Sequence, residues 1–254
     1  MSTVEKLKTV VAKLKRNRFD TVLVETKEDA TRKILDIVPL HATVGMANSV
    51  TIRQLGIAKA LQERGTSVLD PVAPSYGLAE FKEELIMPTL LKATLGSDVF
   101  ISGTNAFTED GKLVNIDGLG NRVAGIIFGA RTSIVVVGRN KLVRNVDEAL
   151  NRIKNTITPT ITKRRNLPLP CAKAGKCLDC SVPERACNVT VIVEKRPPLT
   201  DLKVIVVDDD LGLGWDPAWP QDRIDRIKEK YEQFDWPYVP AWQEFKERSQ
   251  KQSG

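Results

Sequence analysis

The sequence predicts an α/β fold: a mostly parallel sheet with helices on both faces, a β-hairpin insertion near 105–117, and a cysteine-bearing loop before the last core strand. Three observations lead there. Short apolar runs recur along the 254 residues, separated by stretches with helical periodicity. The runs are continuous rather than alternating, as in strands covered on both faces. One segment, "NAFTEDGKLVNIDGLGN", interrupts the pattern with Asp110-Gly111, a hairpin turn between Phe107 and Val114.

The elements follow in order. Residues 3–17 place Val4, Leu7, Val10, Val11 and Leu14 at helical spacing. "DTVLVET" (20–26) reads as a buried strand, and 27–37 as a helix opened by Thr26. "ATVGM" (42–46) is the second strand, with His41 at its entrance. A helix over 49–64 ends at Gly65, and "TSVLDP" (66–71) is the third strand. Residues 77–95 read as a helix despite Pro88, and "SDVFISG" (97–103) as the fourth strand. Beyond the hairpin, Gly118 and Gly120 lead into a helix from Asn121 to Phe128. "TSIVVVG" (132–138) is the fifth strand, 146–156 a helix, and "DLKVIVVDDD" (201–210) the last core strand. Between them, 157–188 is too proline-rich for regular structure and reads as an insertion. Residues 1–210 thus form one domain, and 211–254 a tail with a helical stretch near 221–233. That tail holds Trp215, Trp219, Trp236 and Trp242, all the tryptophan in the chain. Such residues anchor a tail onto its domain; a homodimer contact is the alternative.

Composition narrows the function classes. With 42% hydrophobic and 28% charged residues, the chain reads as soluble and globular. Its start lacks an apolar signal core and no apolar run approaches membrane-spanning length, so a cytoplasmic protein with reduced thiols is expected. The net charge of +6 is uneven: Arg152, Lys154, Lys163, Arg164, Arg165, Lys173 and Lys176 fall in 151–176 with no acidic residue. That stretch lacks the interleaved aromatics of single-strand binders, so nucleic acid is not expected. A basic approach suits an anionic cluster, an anionic ligand or an acidic partner instead. The single histidine rules out multi-histidine metal sites, and leaves acid–base work to carboxylates or lysines.

Cys171, Cys177, Cys180 and Cys187 are the only cysteines, and they lie within seventeen residues. Thiolates are soft ligands for iron–sulfur clusters and zinc, both of which commonly take four. Pro168, Pro170 and Pro183 resist helix, Gly175 permits a bend, and Cys177 and Cys180 sit at CxxC spacing. An iron–sulfur cluster, expected to hold four irons, is favoured, with zinc as the alternative.

A ligand crevice is expected at the carboxyl ends of the strands. In "VGMANSVTIRQLG" (44–56), Gly45 allows close approach, while Asn48 and Ser49 suit a helix start that would face an anion. Around the hairpin stand Thr104, Asn105, Asn115, Asp117, Asn121 and Arg122. Arg122 at a helix start opposes the helix dipole, so a partner such as Asp117 or an anionic substrate is called for. Asn140 and Lys141 follow the fifth strand toward the same crevice.

"VGMANSVTIRQLG", "SGTNAFTEDGKLVNIDGLGNRVAGIIFGA", "VVVGRNKLV" and "DPAWP" together resemble the LUD-domain family, named for lactate utilisation. The likeness spans about residues 1–220 and is most specific over 102–143. It implies the fold shared by ribose-phosphate isomerases, CoA transferases and translation-initiation-factor regulators. It also implies a tie to the oxidation of lactate to pyruvate, in a system whose partners carry iron–sulfur clusters. The resemblance places the crevice at Gly45, Asn48, Ser49, Gly103, Thr104, Asn105, Asn121 and Lys141. The chain departs from the family's short lactate component by its four-cysteine insertion, and from the longer one by lacking repeated CxxCxxC runs. The sequence therefore predicts a metabolic redox protein with a small anionic or phosphorylated ligand, a cluster and a redox partner protein. The competing prediction is a non-catalytic ligand-binding or regulatory protein with a structural zinc.

Overall fold

In the computed structural model of the protein, residues 2–71 and 90–234 are described. The apolar runs become the strands β1 (Asp20–Val24), β2 (Thr43–Met46), β3 (Ser67–Leu69) and β4 (Val99–Gly103). The hairpin supplies β5 (Ala106–Thr108) and β6 (Leu113–Asp117), followed by β7 (Thr132–Gly138) and β8 (Leu142–Val143). β9 (Val189–Val193) and β10 (Asp201–Val207) complete the set. Six strands pair in the order β1-β10-β7-β4-β2-β3, every pair parallel.

Both faces of this sheet are covered, which explains why its strands lack an alternating pattern. Ile134 and Val136 of β7 point into one apolar layer, Val135 and Val137 into the other. The first layer takes Ala30 and Ile34 from α2 (Lys27–Ile37), Ile52 from α3 (Val50–Gln54), and Ile57 and Leu61 from α4 (Ile57–Glu63). The second takes Leu7, Val10 and Leu14 from α1 (Thr3–Arg16). Capping boxes at Ser2–Glu5 and Thr26–Asp29 start α1 and α2 where the sequence places them.

Some boundaries differ from the sequence reading, each for a local reason. The helix expected over 49–64 is two, because Gly56 turns into the left-handed region (φ 63°) between α3 and α4. Of the helix expected over 77–95, residues 90–95 are helical (α5), and the remainder lies outside the described residues. The helix from Asn121 is a single α turn, α6 (Asn121–Ala124), continued by a π turn over Gly125–Gly129. The stretch 157–188 is not uniformly irregular. After α7 (Val146–Arg152) a π turn over Ile153–Ile157 runs into α8 (Thr158–Arg164), and α9 (Pro170–Ala174) bears the first cysteine. Pro159 and Pro170 stand in the first turns of α8 and α9, where a missing N–H costs little.

The hairpin belongs to a second sheet, in the order β8-β5-β6-β9. The two outer strands escaped the sequence reading; β8 is two residues long, and β9 alternates exposed and half-buried positions. The tail returns to the domain. Leu213, Trp215 and residues Ile224, Ile227 and Tyr231 of α10 (Gln221–Glu232) pack against Val50 and Ile157. Trp219 lies against the Arg223 guanidinium, 3.8 Å from its ring centre. Trp236 and Trp242 lie outside the described residues.

The hairpin tip docks on α1. Asn17 donates to the carbonyls of Asp110 and Gly111 at 3.0 and 2.8 Å. Gly111 (φ 84°) leaves no room for a side chain, since a Cβ would stand 2.7 Å from the Lys13 carbonyl carbon. Gly111→Ala is expected to cost roughly 1–2 kcal/mol in backbone strain. Overpacking should add about 1–3 kcal/mol, and urea unfolding of the variant checks the sum.

Candidate functional site

Lys141 is buried at the carboxyl end of the parallel sheet. β7 stops at Gly138, and one 3-10 turn, Arg139–Lys141, carries the chain toward β8. The Lys141 Nζ donates to Thr51 Oγ1 at 2.7 Å and to the Thr104 carbonyl at 3.0 Å. Thr51 belongs to α3, just after β2, and Thr104 follows β4. A single amine therefore joins the ends of three strands. Burial is the main force acting on its proton, and the neighbouring Arg122 charge adds to it; together they bring the pKa from 10.5 to about 7.

A backbone strap, Leu211–Trp215, crosses over this amine. Asn140 ties it down: its Oδ1 accepts from the Leu211 N–H (3.0 Å), and its Nδ2 donates to the carbonyls of Gly212 (3.3 Å) and Gly214 (3.0 Å). The Gly212 N–H donates to Gln54 Oε1 at 2.7 Å. Gly212 has a φ of 64°, and a Cβ there would stand 2.3 Å from Thr51 Oγ1 and 2.9 Å from the Lys141 Nζ. The glycine is required by conformation and by space alike.

Arg122, the first cation of the short helix after the hairpin, folds back over it. It donates to Asn115 Oδ1 (2.5 Å), Asn105 Oδ1 (3.0 Å) and the Ile116 carbonyl (2.8 Å). Its expected partner Asp117 is looser, 3.7 Å from Nε. Burial lowers the Arg122 pKa, and Asp117 opposes that. Asn115 is wholly buried, and its Nδ2 finds no acceptor among the described residues. The Asn105 Oδ1 also caps the Ile116 N–H at 2.9 Å.

The structure thus brings Thr104, Asn105, Arg122 and Lys141 together, with Ser49 and Gly103 at their side: a Cβ on Gly103 would stand 2.6 Å from Ser49 Oγ. Asn48 is exposed, and Asn121 is half-buried at the start of α6. Gly45 serves packing instead, since a Cβ there would strike the Thr94 carbonyl at 2.3 Å. Thr51, Asn115 and Gly212 carry more of the site than the sequence suggested. A cavity of about 150 Å³ lies beside the strap among Arg139, Asp209, Asp210, Arg223, Arg226 and Lys230. Its arginines and lysine already meet aspartates.

The cysteines occupy a different place. Cys171 is buried in α9, its Sγ 3.5 Å from Thr162 Oγ1. Cys177 is held by Asn155, whose Oδ1 accepts its backbone N–H at 3.0 Å, and its Sγ accepts from the Asp179 N–H at 3.4 Å. Arg185 stitches the loop, donating to the carbonyls of Cys180 and Cys187 and to the Asp179 carboxylate. Burial raises the Cys187 pKa; Arg185 opposes this, and the nearby Cys177 and Cys180 reinforce it. The donor set fits a thiolate-bound metal, with four unbridged thiols, three of them in electrostatic reach. Among the described residues no three cysteine, histidine or carboxylate side chains already converge in ligand geometry.

A model of the LUD domain matches residues 7–207. Among solved structures, the chain is similar to a DUF162 family protein from Deinococcus radiodurans, 13% identical, over 82% of this chain and 99% of that one, with a TM-score of 0.46. No curated protein matches. Among the described residues no helix is long and apolar enough to cross a membrane.

The depressed Lys141 pKa has a signed consequence for stability. Between about pH 7 and 10.5 the unfolded chain binds more protons than the folded one, so stability rises with pH and falls as pH drops through 7. The slope approaches about 1.4 kcal/mol per pH unit. Urea unfolding from neutral to alkaline pH should show this excess slope in the wild type and not in Lys141→Met. Parallel curves would remove the claim.

Proposed function

The chain belongs to the LUD-domain family, and on that premise we propose that it is a redox protein of lactate or related organic-acid utilisation. A small organic anion would bind at the carboxyl ends of β4 and β7. The observation carrying this reading is the incompletely met Arg122. Its guanidinium is largely covered and its other acceptors are neutral; among the described residues its one carboxylate stands 3.7 Å away, and the adjoining Asn115 Nδ2 has no acceptor. A carboxylate or phosphate would provide both the charge and the oxygen that this pocket lacks. Thr104 and Asn105 would hold the ligand's cradle in place, with Ser49 and Asn48 toward the opening.

The four cysteines would hold an iron–sulfur cluster, which when bound would supply one-electron transfer to a partner protein. Arg185 and the Asp179 N–H would steady the loop around Cys177 and Cys180. A second reading, a closed zinc site in a binding or regulatory protein, draws on that stitching: Arg185 already pins this loop through its carbonyls, a structural role that zinc would complete.

Arg122→Gln should weaken acetate or inorganic phosphate binding about tenfold or more in calorimetry, equivalent to about 1.4 kcal/mol. Unchanged affinity would place the anion elsewhere. Anaerobic purification with iron, sulfide and zinc measured on one sample decides between the metals. Iron with acid-labile sulfide, lost in Cys177→Ser/Cys180→Ser, is expected; one zinc per chain would favour the second reading, and full metal in the double variant would remove both.

A further inference from the structure

Lys141 sits in a hydrogen-bonding environment with room for one protonation state. An ammonium group has three N–H donors and a neutral amine two. The chain offers Nζ two acceptors, Thr51 Oγ1 and the Thr104 carbonyl, both uncharged. Among the described residues no carboxylate lies within salt-bridge distance of it. The neutral amine is therefore fully satisfied and keeps its lone pair, whereas the ammonium form would leave a buried N–H unmet.

The strap passes close over the amine, and no side chain stands at its two nearest positions. Gly212 crosses Nζ without a side chain, and a Cβ on Gly214 would stand 2.9 Å from Lys141 Cγ. The buried cation Arg122 is adjacent, for Lys141 bonds to residue 104 and Arg122 to residue 105 of the same turn. The orphaned Asn115 amide lies against Arg122. One ligand class uses all of these at once: a carboxylate to meet Arg122 and Asn115, next to a carbonyl carbon to meet the amine.

Resting on the anion-site reading above, we propose that Lys141 is a nucleophile that forms an imine with a 2-oxo carboxylic acid. The Nζ lone pair attacks the carbonyl carbon and a C–N bond forms. Both amine hydrogens pass to the former carbonyl oxygen, which leaves as water, and the C=N bond results. No oxidant or reductant is consumed. Desolvation and a neighbouring cation are the two conditions that make a lysine nucleophilic near neutrality, and both act here.

Glyoxylate, the smallest 2-oxo acid, is the probe, given to the full-length protein with and without sodium cyanoborohydride. The reductant fixes an imine as a stable secondary amine that peptide mass spectrometry locates. Calorimetry without reductant reads binding alone. The expected result is an adduct on Lys141 well above any surface lysine, suppressed by excess acetate and absent from Lys141→Arg. Saturable glyoxylate binding without an adduct at Lys141 would overturn the imine and leave the anion site standing. Neither binding nor adduct would overturn both.

Discussion

The carboxyl ends of three parallel strands are held together by one amine that has no counter-ion among the described residues. Lys141 reaches Thr51 after β2 and Thr104 after β4 from its own position after β7, so the ends of adjacent strands converge on one nitrogen. Burying such a group is costly, and its two hydrogen bonds recover only part of that cost. Desolvation therefore favours the neutral amine, and the pKa falls to about 7. Arg152, equally covered, is met by Glu148 at 3.0 Å and by two carbonyls. Arg152 is thus held by an ion pair, and Lys141 by two uncharged oxygens.

Everything around that nitrogen follows from keeping it covered. The strap must be glycine at 212 to pass over Thr51 and Nζ, and Asn140 and Gln54 must hold its backbone groups, since it lies in neither helix nor strand. The tail then has to stay in place, and Trp215 with α10 secures it through an apolar layer shared with Val50 and Ile157. Trp215 and Trp219 thus pack within the chain, against the apolar layer that holds the strap.

The sheet, its helices and the hairpin were legible because each rests on local chemistry: buried β-branched runs, capping residues and an Asp-Gly turn. The site residues named from sequence were those whose type is conspicuous at a strand end, such as Asn105, Arg122 and Lys141. Thr51 was hidden because a threonine inside a helix looks like an ordinary helical residue until a lysine ninety positions later points at it. Gly212 was hidden likewise, its necessity created by atoms from distant segments. Gly45 has a packing reason the sequence hid as well, since the space a Cβ would need is taken by Thr94. The proline-rich stretch misled because proline forbids helix interiors but suits first turns, and α8 and α9 place theirs there.

The hairpin strand β6 ties the cysteine loop to the surroundings of Arg122. Its Asn115 and Asp117 serve Arg122, while the same two residues pair with Val191 and Val189 of β9, directly after Cys187. Asn188 donates to the Gly118 carbonyl at 3.0 Å, and the Ala186 backbone lies against Gly118. Cys187 thus stands just before the β6–β9 ladder, and Cys171 is buried in α9. The segment between them turns at Gly175 and Asp179, both with positive φ, and leaves Cys177 and Cys180 half-exposed. The end of the cysteine loop and the residues that hold Arg122 are therefore joined through one strand, β6.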